Sequence, residues 1–363
     1  MPKILLLTLD FPPRTGGVAR YLGALTDFFK EEISVISVPE KGDEEFDQKV
    51  NYLVRRQELL SKIIWPHWLK TAWLLLKEKN NYQILIVSHL LPLGTAAWLA
   101  KIFTGRPYIV IVHGMDVALA KQSVIKKQLA GFVLSEAKVV VANSTALAEE
   151  VKKDFDVKKT EVVCPGIKNF PHNNVDRRYC DPGHFVLLTV SRLVPRKGHS
   201  RVLEAVVALK DRIPNLHYKI VGDGPMKEIL KKKVDELDLS SFVEFLDNVS
   251  NEELAEIYSS SDLFVMPTVA NQADREGFGT VYLEAAAYGV PSIATRQPGV
   301  DEAVVDGETG ILVADGNIDE LAAAIFDLWQ DREKLKHLGL TAQQRAVLEF
   351  GWGRQMEKLR KYL

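Results

Sequence analysis

Short apolar runs alternate with helical patterns along the chain, and this order predicts an α/β fold. In the first half the runs are ILLLTL (4–9), ISVISV (33–38), ILIVS (84–88), YIVIVHG (108–114) and VVVANS (139–144). In the second half they are HFVLLTVSRL (184–193), YKIVGDG (218–224), DLFVMP (262–267), PSIAT (291–295) and GILV (310–313). Runs that are apolar throughout, with helices between them, are typical of parallel strands covered on both faces.

The pattern starts a second time after a stretch that has no periodicity. Residues 164–184, CPGIKNFPHNNVDRRYCDPGH, are rich in proline, asparagine and charge, which is typical of a linker. A chain of 363 residues also exceeds what one hydrophobic core usually supports. We therefore predict two Rossmann-like doubly wound domains facing a cleft, the first over 1–168 and the second over 169–345.

Composition and charge narrow the class of protein. A formal net charge of −2, with 47% hydrophobic residues, indicates a globular protein and excludes a globally basic nucleic-acid binder. The two cysteines, Cys164 and Cys180, have neither metal-ligand spacing nor the pattern of a disulfide framework, which favours a reducing compartment. The apolar start of the chain leads into Asp10 without a cleavage site, and no run is long enough to span a membrane. The sequence thus predicts a cytoplasmic protein.

Basic and glycine residues follow several strands, at the positions where doubly wound sheets bind ligands. Gly16 and Gly17 precede the helix predicted over 18–29, where bare amides can approach an anion; a simple turn is the alternative. Arg192 and Lys197 in SRLVPRKGH combine a fork-shaped guanidinium with a compact ammonium, which suits a pyrophosphate; a solvated basic loop is the alternative. His113 ends a strand, in either a structural or a binding role.

Two carboxylates stand eight residues apart in REGFGTVYLEAAAYGVP (275–291). Gly277 and Gly279 keep the loop beside Glu276 thin, and Glu284 lies in a helix predicted to start near Thr280. A carboxylate can accept two hydrogen bonds from a vicinal diol, such as those of a ribose and a hexose. With the two cations, this pattern favours a nucleotide diphosphate sugar. A glycosidase pair is the rival, but nearby cations would keep both carboxylates ionised and leave no general acid.

These motifs, in this order, resemble a known family nearly end to end. The motifs are FPPRTGGVARYL, VHGMD, SRLVPRKGH, VGDGP, EGFGTVYLEAAAYGVPSIAT and DGETGILV. The chain resembles the retaining glycosyltransferases of family 4, which have the GT-B fold, and among them it is most similar to the phosphatidylinositol mannosyltransferases. In this family the last helix returns to the first domain, which implies that residues 346–363 join domain 1–168.

The resemblance also implies a role for each matching residue. It places the diphosphate on the loop of Gly16 and Gly17 and on Arg192 and Lys197. It assigns the ribose to Glu284, the base to the backbone around Asn248 and Val249, and the hexose to His113, Glu276, Gly277, Phe278 and Gly279, with His113 and Glu276 as the catalytic pair. Neither a cofactor nor an essential metal is expected.

The resemblance favours GDP-mannose as donor and a lipid or glycan hydroxyl as acceptor. A UDP-glucose-dependent glucosyltransferase, a nucleotide-sugar epimerase and a non-catalytic binding protein on the same fold are the alternatives. The sequence departs from many members at Pro298-Gly299 and in TVANQADR (268–275), which borders the sugar, so the identity of the sugar stays open.

One segment favours a membrane surface as a further partner. In LLSKIIWPHWLKTAWLLLKEK (59–79), three tryptophans alternate with lysines, as in an interfacial helix. A helix packed on the sheet is the alternative, and Pro66 limits any continuous helix to Trp68 onward. Docking here would make the protein peripheral on the inner face of the cell membrane.

Overall fold

The computed structural model divides into two units, each built on one parallel sheet. Unit 1 comprises 1–166 with Trp352–Leu363, and unit 2 comprises Ile167–Gly351. The structure describes residues 3–167, 183–269 and 277–363. Most of the predicted linker and the sugar-bordering segment therefore lie outside the described residues.

Unit 1 has a seven-stranded sheet with helices on both faces. Its strands are β1 (Ile4–Thr8), β2 (Ile33–Ser37), β3 (Leu53–Arg56), β4 (Ile84–Ser88), β5 (Tyr108–Val112), β6 (Val139–Ala142) and β7 (Thr160–Val162). Its helices up to residue 166 are α1 (Gly17–Phe29), α2 (Asp43–Lys49), α3 (Leu69–Lys77), α4 (Leu93–Thr104), α5 (Met115–Ala120), α6 (Val124–Ser135) and α7 (Thr145–Phe155). The strand order is β3-β2-β1-β4-β5-β6-β7, all parallel.

Unit 2 repeats this plan with six strands. The strands are β8 (Phe185–Val190), β9 (Leu216–Val221), β10 (Val243–Leu246), β11 (Leu263–Met266), β12 (Ser292–Thr295) and β13 (Gly310–Val313). The helices that follow β8 are α8 (His199–Leu209), α9 (Lys227–Glu236), α10 (Asn251–Ser259), α11 (Thr280–Ala287), α12 (Val300–Ala303), α13 (Ile318–Gln330), α14 (Arg332–Glu349) and, in unit 1, α15 (Trp352–Arg360). The parallel order is β10-β9-β8-β11-β12-β13.

The central strands are apolar throughout because successive side chains are buried on opposite faces of the sheet. In β1, Leu5 and Leu7 pack on one face of the sheet, whereas Ile4 and Leu6 pack on the other with α1 and α15. A strand covered on both faces buries every side chain. The predicted fold of two Rossmann-like α/β domains is confirmed by this architecture.

Three strands escaped the sequence pattern, and each lies at the edge of a sheet. They are β3, β7 and β10, whose residues are half-buried or exposed rather than buried. An edge strand has one neighbour and less cover, so polar residues such as Arg55, Glu161 and Glu244 are accommodated there. These strands consequently lack the apolar runs that identified the others.

The last helix belongs to unit 1, as the fold prediction requires. Trp352 packs edge-on against Tyr21 at 5.5 Å, and Met356 and Leu359 are buried in the same core as α1. Gln355 accepts a hydrogen bond from the Cys164 amide at 3.0 Å. The return to unit 1 comes after Gly351 rather than near residue 346, because α14 continues to Glu349.

Candidate functional site

The loop after β8 carries the two cations that the sequence singles out, Arg192 and Lys197. Arg192 is exposed, while Lys197 is buried and ends a short 3-10 helix, Pro195–Lys197. The Leu193 amide donates to the Asp223 carbonyl at 2.9 Å, and the Met226 amide donates to the Leu193 carbonyl at 3.0 Å. The loop is thus fastened by its backbone to the turn that follows β9.

Three glycines explain why this fastening is possible. A Cβ at Gly222 would lie 2.0 Å from the Ser191 carbonyl oxygen, and one at Gly224 would lie 2.5 Å from that of Leu193. A Cβ at Gly198 would lie 2.0 Å from the Pro267 carbonyl oxygen, and all three glycines have positive φ. The glycines of VGDGP therefore support the cationic loop and are not a dinucleotide fingerprint.

A buried polar chain lies under the same loop. His199 Nε2 is 2.9 Å from the Ser191 hydroxyl, and its Nδ1 is 3.4 Å from the Tyr218 hydroxyl, which lies 2.9 Å from Thr189 Oγ1. Burial and, to a smaller extent, the charge of Lys197 lower the pKa of His199 to about 4. His199 is consequently neutral at physiological pH and adds no charge to the loop.

In unit 2 the residues predicted to contact the donor follow neighbouring strands and so lie side by side along one edge of the sheet. Asn248 and Val249 follow β10, the VGDGP turn follows β9, Arg192 and Lys197 follow β8, and the loop toward Gly277 follows β11. Neighbouring strands are about 4.8 Å apart, so the three steps from β10 to β11 cover about 14 Å. The contacts predicted for base, diphosphate and sugar therefore follow one another along one edge of the sheet, in the order of the parts of a nucleotide sugar.

Glu284 lies in the second turn of α11 and is half-buried. The Tyr258 hydroxyl, from α10, donates to Glu284 Oε2 at 3.2 Å. Tyr258 is itself fixed by stacking on Tyr288, with ring centroids 5.3 Å apart and planes at 6°. Tyr258, which the sequence did not single out, thus orients the carboxylate assigned to the ribose.

The predicted sugar-binding residues are described only in part. Glu276 lies outside the described residues, and Gly277 is half-buried at the margin of the described chain. The Phe278 side chain is buried and packs on Phe350 at 5.7 Å, which leaves only its backbone for contact with a sugar. Gly279 has φ +78° and caps α11. The Gln297 side-chain amide, beside the Pro298-Gly299 departure, donates to the Thr268 carbonyl at 2.7 Å and holds the loop after β11.

Gly16 and Gly17, which the resemblance assigns to the diphosphate, lie at the start of α1 in unit 1. Gly16 has φ +150° and supplies no side-chain cap, which leaves the first amides of α1 available to an anion. A Cβ at Gly17 would meet no described atom within 4 Å, and its φ is not in the left-handed region. The fold therefore does not require glycine at residue 17, whereas close approach of a ligand would.

His113 follows β5 and is held by neighbours from two other segments. Its Nε2 lies 2.9 Å from the Ser88 hydroxyl, and its amide donates to Asp116 Oδ1 at 3.0 Å. Burial lowers the pKa of His113 to about 4, although the Asp116 carboxylate acts in the opposite direction. The imidazole is neutral at physiological pH, so it can hydrogen-bond a sugar hydroxyl but supplies no positive charge.

The structure adds residues that sequence reasoning missed. Asp10 and His89 follow the neighbouring strands β1 and β4, and their side chains approach to 3.3 Å. Asp116 accepts hydrogen bonds from the amides of Leu90, His113 and Val117. Each follows a predicted strand, a signal the sequence contained, but only the strand order brings them together. Among the described residues no group of three or more His, Cys, Asp or Glu could hold a metal ion.

Both halves of the chain match known families of glycosyltransferases. Residues 15–168 match the family model Glycosyltransferase Family 4, and residues 179–345 match Glycosyl transferases group 1. A GDP-mannose-dependent alpha-(1-6)-phosphatidylinositol monomannoside mannosyltransferase of Mycolicibacterium smegmatis is 29% identical over 99% of this chain and 98% of its own. A D-inositol 3-phosphate glycosyltransferase of Streptomyces bingchenggensis is 30% identical over 79% of this chain and 67% of its own.

Solved structures resemble the whole chain in fold. HepE of Anabaena in complex with UDP has a TM-score of 0.81 at 20% identity, covering 99% of this chain and 98% of that one. Sucrose-phosphate synthase from Thermosynechococcus elongatus has a TM-score of 0.79 at 19% identity, with 99% and 98% covered. Both units of the chain therefore have counterparts in known structures.

Replacing Gly17 by alanine separates a ligand-imposed glycine from a fold-imposed one. We expect Gly17→Ala to leave the melting temperature unchanged but to weaken binding of a nucleoside diphosphate about tenfold or more, the loss of one charge-assisted contact. The matched control is Gly131→Ala in α6, where an added Cβ also meets no described atom within 4 Å. Calorimetric titration that gives the same affinity for both variants would remove Gly17 from the diphosphate site.

Replacing Tyr258 by phenylalanine tests the orientation of Glu284. Tyr258→Phe removes one hydroxyl and keeps the ring, so we expect nucleoside diphosphate affinity to fall severalfold, in the same direction as Glu284→Gln. Tyr108→Phe is the control, because it removes a buried hydroxyl bonded to the Val133 carbonyl in unit 1. If Tyr258→Phe bound as wild type while Glu284→Gln lost affinity, the hydroxyl would have no role in the site.

Proposed function

Because this chain belongs to the family 4 glycosyltransferases of the GT-B fold, and is therefore a retaining hexosyltransferase, we propose that it transfers mannose from GDP-mannose to a hydroxyl group of a lipid or glycan acceptor. The observation that carries the proposal is that relatives aligned over almost the whole chain are GDP-mannose-dependent mannosyltransferases. The row of predicted donor contacts along unit 2 supports a nucleotide sugar as the ligand.

In the proposed reaction the protein binds and orients, and the leaving group completes the proton transfer. Arg192, Lys197 and the Gly17 amide neutralise the diphosphate, so the bond between C1 and the phosphate oxygen breaks with charge stabilised on the oxygen. The acceptor oxygen forms the new bond to C1 on the face that the phosphate leaves, which retains the configuration. The acceptor proton passes to the departing phosphate, and GDP is released.

The remaining residues hold the donor on either side of that bond. Glu284, oriented by Tyr258, accepts hydrogen bonds from the ribose hydroxyls. Glu276 binds the 3- and 4-hydroxyls of the hexose, and neutral His113 binds the 6-hydroxyl. Arg192 and Lys197 supply the positive charge that a divalent cation supplies elsewhere, so the proposed reaction needs no metal.

Donor identity is the part of the proposal with a defined rival. UDP-glucose is that rival, since a structural neighbour, HepE of Anabaena, was solved with UDP-glucose. Asn248 has φ +51°, is exposed, and lies between β10 and the capping box that starts α10. The resemblance implies that a base bound there is contacted mostly through backbone, so it gives no side-chain basis for choosing guanine over uracil. The proposal for GDP-mannose rests on the relatives.

Titration with free nucleotides tests the donor. A ligand that binds only the folded protein stabilises it by about 2.7 kcal/mol at a concentration one hundred times its dissociation constant. We expect GDP to raise the melting temperature more than UDP does at equal concentration. ADP is the nucleotide control. A clear increase in melting temperature with UDP and none with GDP would contradict GDP-mannose as the donor and favour glucose transfer.

We also propose that unit 1 docks on a membrane surface through residues 61–77. Ile63, Ile64 and Trp65 form an exposed apolar loop, with 94%, 56% and 82% of their surfaces accessible. In α3, Ala72 and Leu75 are buried, whereas Trp73 is exposed and carries Lys77 over its ring at 3.4 Å. The described helices include none that is long and apolar enough to cross a bilayer. Exposed apolar side chains flanked by lysines are typical of segments that lie at the surface of anionic lipid.

Binding to vesicles tests this docking surface. We expect the double variant Ile63→Ser and Trp65→Ser to lower the affinity for phosphatidylglycerol vesicles, measured by co-sedimentation, about tenfold or more. Burying one large apolar side chain contributes about 1.5–3 kcal/mol. Ile229→Ser in α9 removes an apolar side chain of similar exposure, 57%, from unit 2 and serves as control. Equal sedimentation of both variants would exclude the loop as the membrane contact.

A further inference from the structure

Asp10 and His89 stand on the two sides of the topological switch point of the unit 1 sheet. β1 continues to β2 on one side and β4 continues to β5 on the other, while β1 and β4 are hydrogen-bonded neighbours. Connections leave a sheet in opposite directions at such a point and open a crevice at the carboxyl ends of the strands, where doubly wound sheets bind ligands. Asp10 and His89 follow these two strands, and His113 follows β5 beside them.

The hydrogen bonds of His89 define its protonation state. Its Nδ1 lies 2.7 Å from the Ser88 carbonyl oxygen, and its Nε2 lies 3.3 Å from Asp10 Oδ2. A carbonyl and an ionised carboxylate only accept hydrogen bonds, so both ring nitrogens must donate. Both nitrogens donate only in the imidazolium form, and His89 is therefore a cation, in contrast to the neutral His113.

The charged groups around this ring maintain the ion pair. Burial disfavours the imidazolium, but the bond to Asp10 and the carboxylates of Asp116 and Asp10 outweigh it, so the pKa of His89 is raised above its ordinary value. The bond from His89 lowers the pKa of Asp10 against burial, and Arg14, 2.9 Å from Asp10 Oδ1, lowers it further. The neutral His113 ring is the other titratable neighbour, 6.3 Å away.

The pair is held in place and remains accessible. The His89 backbone has φ +85°, which is uncommon outside glycine and is found where surrounding contacts impose it. The next residue, Leu90, donates its amide to Asp116 Oδ2 at 3.1 Å. The side chains of Asp10 and His89 are 27% and 21% exposed. An ion pair fixed in this way is positioned for a ligand as well as for stability.

We propose that Asp10 and His89 form the acceptor-hydroxyl site, in which Asp10 accepts the hydrogen bond of the acceptor hydroxyl and His89 holds Asp10 in position. The inference rests on the proposed sugar transfer, because it names where the second substrate binds. Both N–H groups of His89 are already bonded to Ser88 and Asp10, whereas the Asp10 carboxylate, with about four lone-pair sites, can accept a further hydrogen bond from a hydroxyl. Asp10 orients the hydroxyl and does not take its proton, since a carboxylate of lowered pKa is a weak base.

Steady-state kinetics test the assignment with three variants. Asp10→Asn removes the charge at constant shape, His89→Asn removes the cation and tolerates positive φ, and His337→Gln replaces an exposed histidine of α14 as control. The donor is GDP-mannose, with UDP-glucose in parallel, and the acceptor probe is phosphatidylinositol monomannoside in detergent micelles. We expect kcat/KM for the acceptor to fall about tenfold or more in the first two variants. The KM for the donor and the thermal shift with GDP should stay as in wild type and in the control.

The pH profile distinguishes positioning by charge from a merely structural role. Because the pKa of folded His89 is raised, the ring is charged below that pKa and loses its proton as pH increases through it. We expect kcat/KM for the acceptor in wild type to decrease over this alkaline range, and we expect His89→Asn to lack that decrease. The same profile in both proteins would overturn the role of the imidazolium.

A binding measurement separates failure of this inference from failure of the proposed function. If wild type transfers sugar and the acceptor kinetics of Asp10→Asn and His89→Asn match those of His337→Gln, the inference is wrong and the transferase proposal stands. If wild type transfers nothing from either donor, the proposed function is wrong. Calorimetry with methyl α-D-mannopyranoside on the GDP-bound protein then decides the inference. Binding that is lost in Asp10→Asn supports it, and binding that is absent in wild type or equal in both proteins overturns it.

Discussion

The close approach of carbonyl oxygens to three glycines is the constraint on which the proposed donor site depends. Gly198, Gly222 and Gly224 lie so near the carbonyl oxygens of Pro267, Ser191 and Leu193 that any side chain would overlap them. This packing fastens the loop after β8 to the turn after β9 and to the end of β11. The position of Arg192 and Lys197 is thereby fixed by main chain rather than by mobile side chains, and a preorganised cationic loop needs little rearrangement when it meets a diphosphate.

Electrostatics in both units follow from burial, which decides which groups carry charge. His113 and His199 are buried without an ionic partner strong enough to offset desolvation, so both are neutral at physiological pH. His89 is also largely enclosed, but Asp10 and Asp116 face it, so it is charged. The same residue type thus supplies neutral hydrogen-bonding groups at two places and a cation at a third. Sequence alone does not distinguish these three cases, because the difference lies in what packs against each ring.

The elements that could be predicted from the sequence are those whose burial requires a continuous run of apolar residues. Strands such as β1, β5 and β8 were recognisable because both faces are covered, whereas β3, β7 and β10 were not, since edge strands accept polar residues. The cationic loop was predicted from residue type and position after a strand, and Glu284 from its place in a predicted helix, and their ligand-binding roles stay predictions. Tyr258 was missed because it lies on a different helix from Glu284, and the pairing of Asp10 with His89 was missed because it depends on β1 lying beside β4. Strand order and helix packing are tertiary facts that periodicity does not encode.

The order of strands in unit 2 is predicted to set the order of the donor's parts along the sheet. A crystal structure of the protein with GDP-mannose measures this order. We expect the base beside Asn248 and Val249 after β10, the diphosphate against Arg192 and Lys197 after β8, and the ribose hydroxyls within hydrogen-bonding distance of Glu284. A diphosphate bound away from the loop after β8, or a donor lying in the reverse direction across the strands, would show that strand order does not set the order of the donor.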